Sequence, residues 1–217
     1  MHYSQSPAAP ASEVHGPSRP KPDPKQSRAV RTRSQILQAA ATAFAGKGFP
    51  AVTVHDVAEL TGMTKGAVYF HYANKEALAI AVVEEFHRRW PPMAAAVRQL
   101  DASPLEMVSE LMRRTAILLR DDTMAQAGTR LQTEHSLICV ALPTPFQDYT
   151  SILVSLLTQA EEQGQLPPGT KPETLARVLF AGLFGAQHVS WILHDRADIL
   201  ERVSEVIDEI IPHRGTF

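Results

Sequence analysis

The sequence predicts an all-α protein: a small N-terminal domain of three helices built around a helix-turn-helix, then a larger helical C-terminal domain. Three observations predict it. Between Val52 and Leu78, in VTVHDVAELTGMTKGAVYFHYANKEAL, two short helical patterns break at a glycine and run at once into a third. Beyond that segment, apolar residues recur at three- and four-residue spacing, punctuated by helix caps and prolines. No stretch alternates with the period of two that a half-buried strand requires, and no internal repeat is visible.

Taken in order, residues 1–27 form a basic, proline-rich arm with prolines at 7, 10, 17, 20, 22 and 24. With almost no large apolar side chains it cannot bury a core and is expected to be disordered. For residues 19–27 two readings stay open: a solvated tail, or an arm that follows a DNA backbone. Arg31–Phe49 reads as a helix with Ile36, Leu37, Ala40 and Phe44 on one face. Thr53 caps a short helix whose Val54, Val57 and Ala58 fall on one side, and Gly62 supplies the sharp turn. Thr64 caps the next helix, which carries Lys65, Gly66, Ala67, Tyr69, His71 and Tyr72. Asn74 caps a helix expected to reach Trp90, where Pro91-Pro92 ends or kinks it. Ser103-Pro104-Leu105-Glu106 is a capping box opening a helix to about Arg120. A helix over about Asp122–Ser136, an apolar, buried-side loop over Ser136–Phe146, and helices over about Phe146–Gln163, Lys171–His194 and Arg196–Ile211 complete the chain.

Charge is unevenly spread. Residues 1–75 hold nine Lys/Arg against four Asp/Glu, whereas residues 76–217 hold twelve against nineteen. A basic head on an acidic body fits a chain that touches nucleic acid at one end only. The single cysteine, Cys139, allows no internal disulfide, and no apolar run suggests a membrane span or signal peptide, so a cytoplasmic location is expected.

The second helix of the pair has a DNA reader's composition. Lys65 can reach a guanine edge or a phosphate, Gly66 and Ala67 let the backbone approach the groove, and Tyr69, His71 and Tyr72 offer polar tips to phosphate. Thr64 sits at its start, Lys75 just beyond its end, and Arg31, Thr53 and His55 lie where a phosphate backbone would run. Val68 and Phe70 are expected in the core, and the alternative reading of one of the two tyrosines is that it packs there too. Enzymatic patterns are missing: there is no G-x-S-x-G, no phosphate loop and no H-E-x-x-H, and His188 and His194 are six apart, the wrong spacing for a shared metal. Neither catalytic residues nor a cofactor or metal is expected. The body instead supplies aromatic and polar candidates for a small-molecule pocket: Trp90, Phe146, Tyr149, Phe184, Gln187, His188 and Trp191, with Gln126, Arg130 and His135 as further polar contacts. For Phe180 and Phe184, core packing and pocket lining stand equally open.

The segments RTRSQILQAAATAFAGKGF, T-V-x-D-V-A, G-M-T-K-G-A-V-Y-F-H-Y and N-K-E-A-L, together covering about Arg28 to Ala79, resemble the N-terminal domain of the TetR family of transcriptional repressors. The body segments Q-A-G-T-R-L, P-F-Q-D-Y and F-G-A-Q-H-V-S resemble the γ-butyrolactone autoregulator receptors of streptomycetes, including relatives that sense alkyl-furan carboxylic acids. Where those receptors commonly carry a tryptophan after P-F-x-x, this chain has Tyr149, a departure that leans toward a furan acid. The resemblance implies a DNA-binding domain over 28–73 and a ligand-binding and dimerisation domain over 74–217. It also implies a homodimer on double-stranded operator DNA, released by a small-molecule inducer. Ala181, Gly182, Gly185 and Ala186, with Leu179, Leu183, Ile192, Ile199, Val203, Val206, Ile207 and Ile210, are expected at the dimer interface. Two alternatives remain: a multidrug-type TetR regulator with a promiscuous pocket, and a helical carrier or enzyme.

Overall fold

The computed structural model describes residues 24–211. The head comprises α1 (Pro24–Lys47), α2 (Val54–Thr61) and α3 (Lys65–His71). The body follows as α4 (Lys75–His87), α5 (Trp90–Arg98), α6 (Pro104–Asp121), α7 (Thr123–Thr133), α8 (Pro145–Glu162), α9 (Pro172–His194) and α10 (Ile199–Ile210). Among the described residues there is no strand.

Local chemistry sets the boundaries. Thr53 and Asp56 form a reciprocal capping box at α2, and Gly62 ends that helix at φ 68°. Thr64, Asn74 and Asp122 cap α3, α4 and α7 through their side chains, and Ser103 with Glu106 boxes the start of α6. Three expectations are corrected. α1 begins at Pro24, inside the expected arm, because proline at the first helical position sacrifices no intrahelical hydrogen bond; residues 1–23 lie outside the described residues. α4 stops at His87, and Pro91-Pro92 opens α5 instead of ending α4, so Trp90 belongs to α5. The 136–146 loop turns outward: Leu137, Cys139 and Val140 are exposed, and Ile138 and Pro145 are its buried anchors.

Two apolar cores form, and they do not divide at residue 74. The head core joins Ile36, Phe44, Val57 and Val68 to Leu78 and Val82 of α4 and to Met124, Ala127 and Leu131 of α7. The body core collects Phe86, Trp90, Leu111, Tyr149, Leu153, Leu179 and Val203. Thus α4 and α7 each belong to both. They cross where Gly128 meets Phe86; a β-carbon there would lie 2.6 Å from the ring, so only glycine allows this approach.

Candidate functional site

One face of the head is polar and open. α3 is held by its buried Val68, which leaves Lys65, Gly66, Tyr69 and Phe70 together on the outer side. The Ala67 amide donates to Thr64 Oγ1 at 3.2 Å, which fixes the start of that helix. Phe70, expected beside Val68 in the core, is 83% exposed. Two residues on an α-helix place it about 200° round from Val68. His71 is half-buried and stands edge-on to Phe70. Arg31, Thr53 and His55 are exposed, and His55 pairs with Glu59 at 3.1 Å. Hydrogen bonds from Lys47 and then Thr53 hold the Asp56 carboxyl below the usual carboxylate range, which keeps the α2 cap charged.

Two candidates for phosphate contact are corrected. Tyr72 is 4% exposed, part of the head core, with the Arg33 guanidinium 4.8 Å from its ring centre; burial raises its pKa. Lys75 turns inward: Nζ donates to the Phe49 carbonyl at 2.9 Å and lies 4.1 Å from that ring's centre. Both side chains brace the head and do not present polar tips on its surface.

Inside the body, five helices from α4 to α8 and then α9 surround a chamber. Its walls are Phe86, Trp90, Thr115, Leu119, Thr129, Phe146, Tyr149, Phe180, Leu183, Phe184 and Gln187. The rings pack edge to face or tilted: Phe86 on Trp90 at 4.9 Å, Trp90 on Tyr149 at 5.1 Å, Phe146 on Phe180 at 5.3 Å. The space outside the atoms is about 310 Å³, but it is a narrow cleft, and a water-sized sphere can sit in only about 20 Å³ of it. That is room for about one water.

The polar atoms in this apolar setting are informative. Trp90 Nε1 and Thr129 Oγ1 are buried and have no hydrogen-bond partner. Gln187 is 4% exposed. Thr115 Oγ1 donates its one proton to the Leu111 carbonyl at 2.8 Å, so the 3.2 Å contact with Tyr149 is donated by the phenol. Burial pushes the Tyr149 phenol up, so it stays a neutral donor. Buried polar groups are normally paired; here two are left waiting.

Of the expected ligand contacts, Trp90, Phe146, Tyr149, Phe184 and Gln187 line the chamber, and five do not. The Gln126 amide donates to the Arg120 carbonyl at 2.7 Å, covering the end of α6. Arg130 turns toward the head, donating to Ala45 and Gly46. His135 is exposed. His188 and Trp191 lie along α9 past the chamber, His188 stacked on Phe184 and Trp191 flanked by Arg130 and Arg196. Sequence reasoning missed Phe86, Thr115, Leu119, Thr129 and Leu183. Leu183 is expected at the dimer interface, and the mid-helix threonines carry no signal.

α9 also presents an outer apolar stripe. Val178, Val189, Ile192 and Leu193 are exposed hydrophobics, with Ala181 and Gly185 exposed between them. By length and composition α9 could cross a bilayer, which the sequence reading did not anticipate, yet its apolar residues divide between core and stripe. The other expected interface residues are corrected: Leu179, Leu183, Ile199, Val203 and Ile207 are internal core, and Gly182 meets Val206 of α10 within the chain. Among the described residues no group of three or more His, Cys, Asp or Glu is placed to hold a metal.

A capped helix-turn-helix with an exposed second helix, joined to a helical body around an internal chamber, defines a one-component regulator of the helix-turn-helix class. Residues 36–82 match the family model for bacterial regulatory proteins of the tetR family. A solved TetR regulator, TylP from Streptomyces fradiae, is 33% identical with a TM-score of 0.67 and covers 85% of this chain and 86% of its own. The chain therefore belongs to the TetR family. A solved structure described as the molecular basis for control of antibiotic production by bacterial hormones is 50% identical, with a TM-score of 0.77 over 83% of this chain and 96% of that one. The A-factor receptor protein of Streptomyces griseus is 32% identical over 87% of this chain, and the match spans 65% of that protein's own length.

Proposed function

We propose that this chain is a ligand-responsive transcriptional repressor. As a homodimer it binds a pseudo-palindromic operator on double-stranded DNA through the α3 faces of residues 28–73. It is released when a small diffusible signal, a γ-butyrolactone or an alkyl-furan carboxylic acid, enters the chamber of residues 74–217. The genes controlled would be those of antibiotic or other secondary metabolism, and the setting the cytoplasm, at the nucleoid.

The observation that carries this reading is the pair of unpartnered polar atoms in an aromatic chamber. Trp90 Nε1 can only donate, and Thr129 Oγ1 can donate as well, so each is open to an acceptor oxygen of a ligand. A lactone carbonyl or a carboxylate supplies such an oxygen, and an alkyl tail suits Phe146, Phe180 and Phe184. The narrowness of the cleft and its fixed donors favour such a ligand over the varied ligands of a multidrug pocket. Release requires that the ligand favour the head spacing that does not fit DNA, by about 3 kcal/mol for a 100-fold loss of affinity.

The test is a gel shift on DNA from upstream of the chain's own gene, with alkyl γ-butyrolactones and alkyl furan acids titrated separately. Specific retardation that either class abolishes at micromolar concentration supports the reading. Absence of any sequence-specific complex removes it.

A further inference from the structure

Arg130 of α7 and Glu134, the residue that caps its C-terminal end, hold the head by its backbone, beside the Lys75 bond to the Phe49 carbonyl. Arg130 Nη1 donates to the carbonyls of Ala45 at 2.9 Å and Gly46 at 3.0 Å, at the end of α1. Its Nε donates to Glu134 Oε1 at 2.8 Å. Glu134 Oε2 accepts the Phe49 amide at 2.6 Å. The pair thus grips the α1–α2 turn by its backbone, and with side chains only 19% and 18% exposed it is well shielded from solvent. The turn is shaped for it: Gly48 has φ +78°, and a β-carbon there would lie 2.5 Å from Glu134 Oε1 and 2.6 Å from Arg130 Nη2. Behind the grip, the Arg130 guanidinium stands 5.2 Å from the Trp191 ring centre. Trp191 is one helical turn beyond Gln187, and Thr129 is the residue before Arg130; Gln187 and Thr129 are both chamber walls.

We infer that Arg130 and Glu134 are positioning residues that carry the state of the chamber to the DNA-reading head, by a route through α7 separate from α4. This rests on the repressor reading above. A ligand lying between Thr129 and Gln187 must widen a cleft that now holds little more than one water. α7 and α9 then part, and Arg130, held to α1 on one side and to Trp191 on the other, cannot keep both contacts. The head is released from its fixed seat on α7 without either residue touching ligand or DNA.

Coupling is reciprocal, so DNA bound to the head must alter the chamber walls. That permits a test without an inducer: hydrogen–deuterium exchange of the full chain with and without a duplex from upstream of its own gene. In the wild type the duplex should slow exchange in residues 65–71 and change it in residues 123–133 and 180–191. Arg130→Ala should keep the protection of residues 65–71 and lose the change in the other two segments. Glu134→Gln, whose side-chain oxygen still accepts the Phe49 amide, should retain most of it. Should Arg130→Ala fail to fold by circular dichroism, Arg130→Lys, which keeps the charge without the fork, carries the same test. A chamber response undiminished in these Arg130 variants, or absent from a wild type that protects residues 65–71, overturns the inference. No protection of residues 65–71 in the wild type refutes the repressor reading itself and is seen as a separate result.

Discussion

Thr129→Val should make the protein more stable and a poorer receptor. Thr129 Oγ1 is buried without a partner, and the residue is 4% exposed. Leaving a buried hydroxyl unpaired costs about 1–3 kcal/mol, and valine replaces it with a methyl of similar size. Allowing for some relaxation in the wild type, the gain should be about 1 kcal/mol, or roughly 2–4 °C in Tm for a chain of this length. The same hydroxyl is proposed to bond a ligand oxygen, and losing that bond should cost about 0.5–1.5 kcal/mol, roughly a 2- to 13-fold weaker Kd. Urea unfolding at fixed protomer concentration gives the first quantity, provided m is unchanged. Calorimetric titration with an alkyl γ-butyrolactone or furan acid gives the second. The signs are opposite, which ordinary packing damage would not produce. A Thr129→Val protein destabilised by 1 kcal/mol or more would show that the hydroxyl is already satisfied in the ligand-free chain, and the reasoning from waiting polar groups would fail.

Three further outcomes are expected. Lys65→Ala should weaken operator binding by about 1–3 kcal/mol if it reads a base edge, measured by fluorescence anisotropy; unchanged affinity would move the reading face off α3. Ile192→Glu, on the outer stripe of α9, should give monomers in sedimentation velocity and lose tight operator binding, whereas an intact dimer would place the interface elsewhere. The third concerns acid. Asp56 is held below its unfolded pKa by Lys47 and Thr53, so its contribution is complete above about pH 4 and is lost as pH falls through the depressed folded value. Asp56→Asn should therefore flatten the unfolding curve followed by circular dichroism below about pH 4 and leave its shape at neutral pH unaltered.

The parts of the fold legible in the sequence were those fixed within a few residues. Caps at Thr53, Thr64, Asn74 and Ser103 are local hydrogen bonds, reciprocal at Thr53 and Ser103, and each lies where its residue type implied. Direction around a short helix was less legible. In the seven residues of α3 the fate of Phe70 and the burial of neighbouring Tyr72 depend on what α1 and α4 offer, and no periodicity over so few turns can report that. Proline at Pro91-Pro92 is equally compatible with ending one helix and opening the next; the two-residue break at Arg88-Arg89 settled it. In the chamber, aromatic residues on α8 and α9 announced themselves by type. Depth along the bundle did not, which is why His188 and Trp191 were placed in the chamber although they lie beyond it. Thr115 and Thr129 look like surface residues in isolation, and become functional candidates only through their surroundings.

The two faces of α9 have a consequence for how sharply such a regulator answers its signal. Phe180, Phe184 and Gln187 face the chamber, while Val178, Gly185 and Ile192 face outward. In the proposed dimer those outward faces meet, so the two chambers stand back to back across one pair of helices, whose axes pack about 8–10 Å apart. Filling one chamber shifts a wall that the other chamber's helix leans on. Occupancy of the first site then eases or hinders occupancy of the second, and the response curve departs from a simple hyperbola, with a Hill coefficient bounded by two. Gene expression under such control would turn on over a narrow span of signal concentration when the coupling is positive, and over a broad one when it is negative. The thin partition that α9 provides makes the steepness of that threshold a property of one helix.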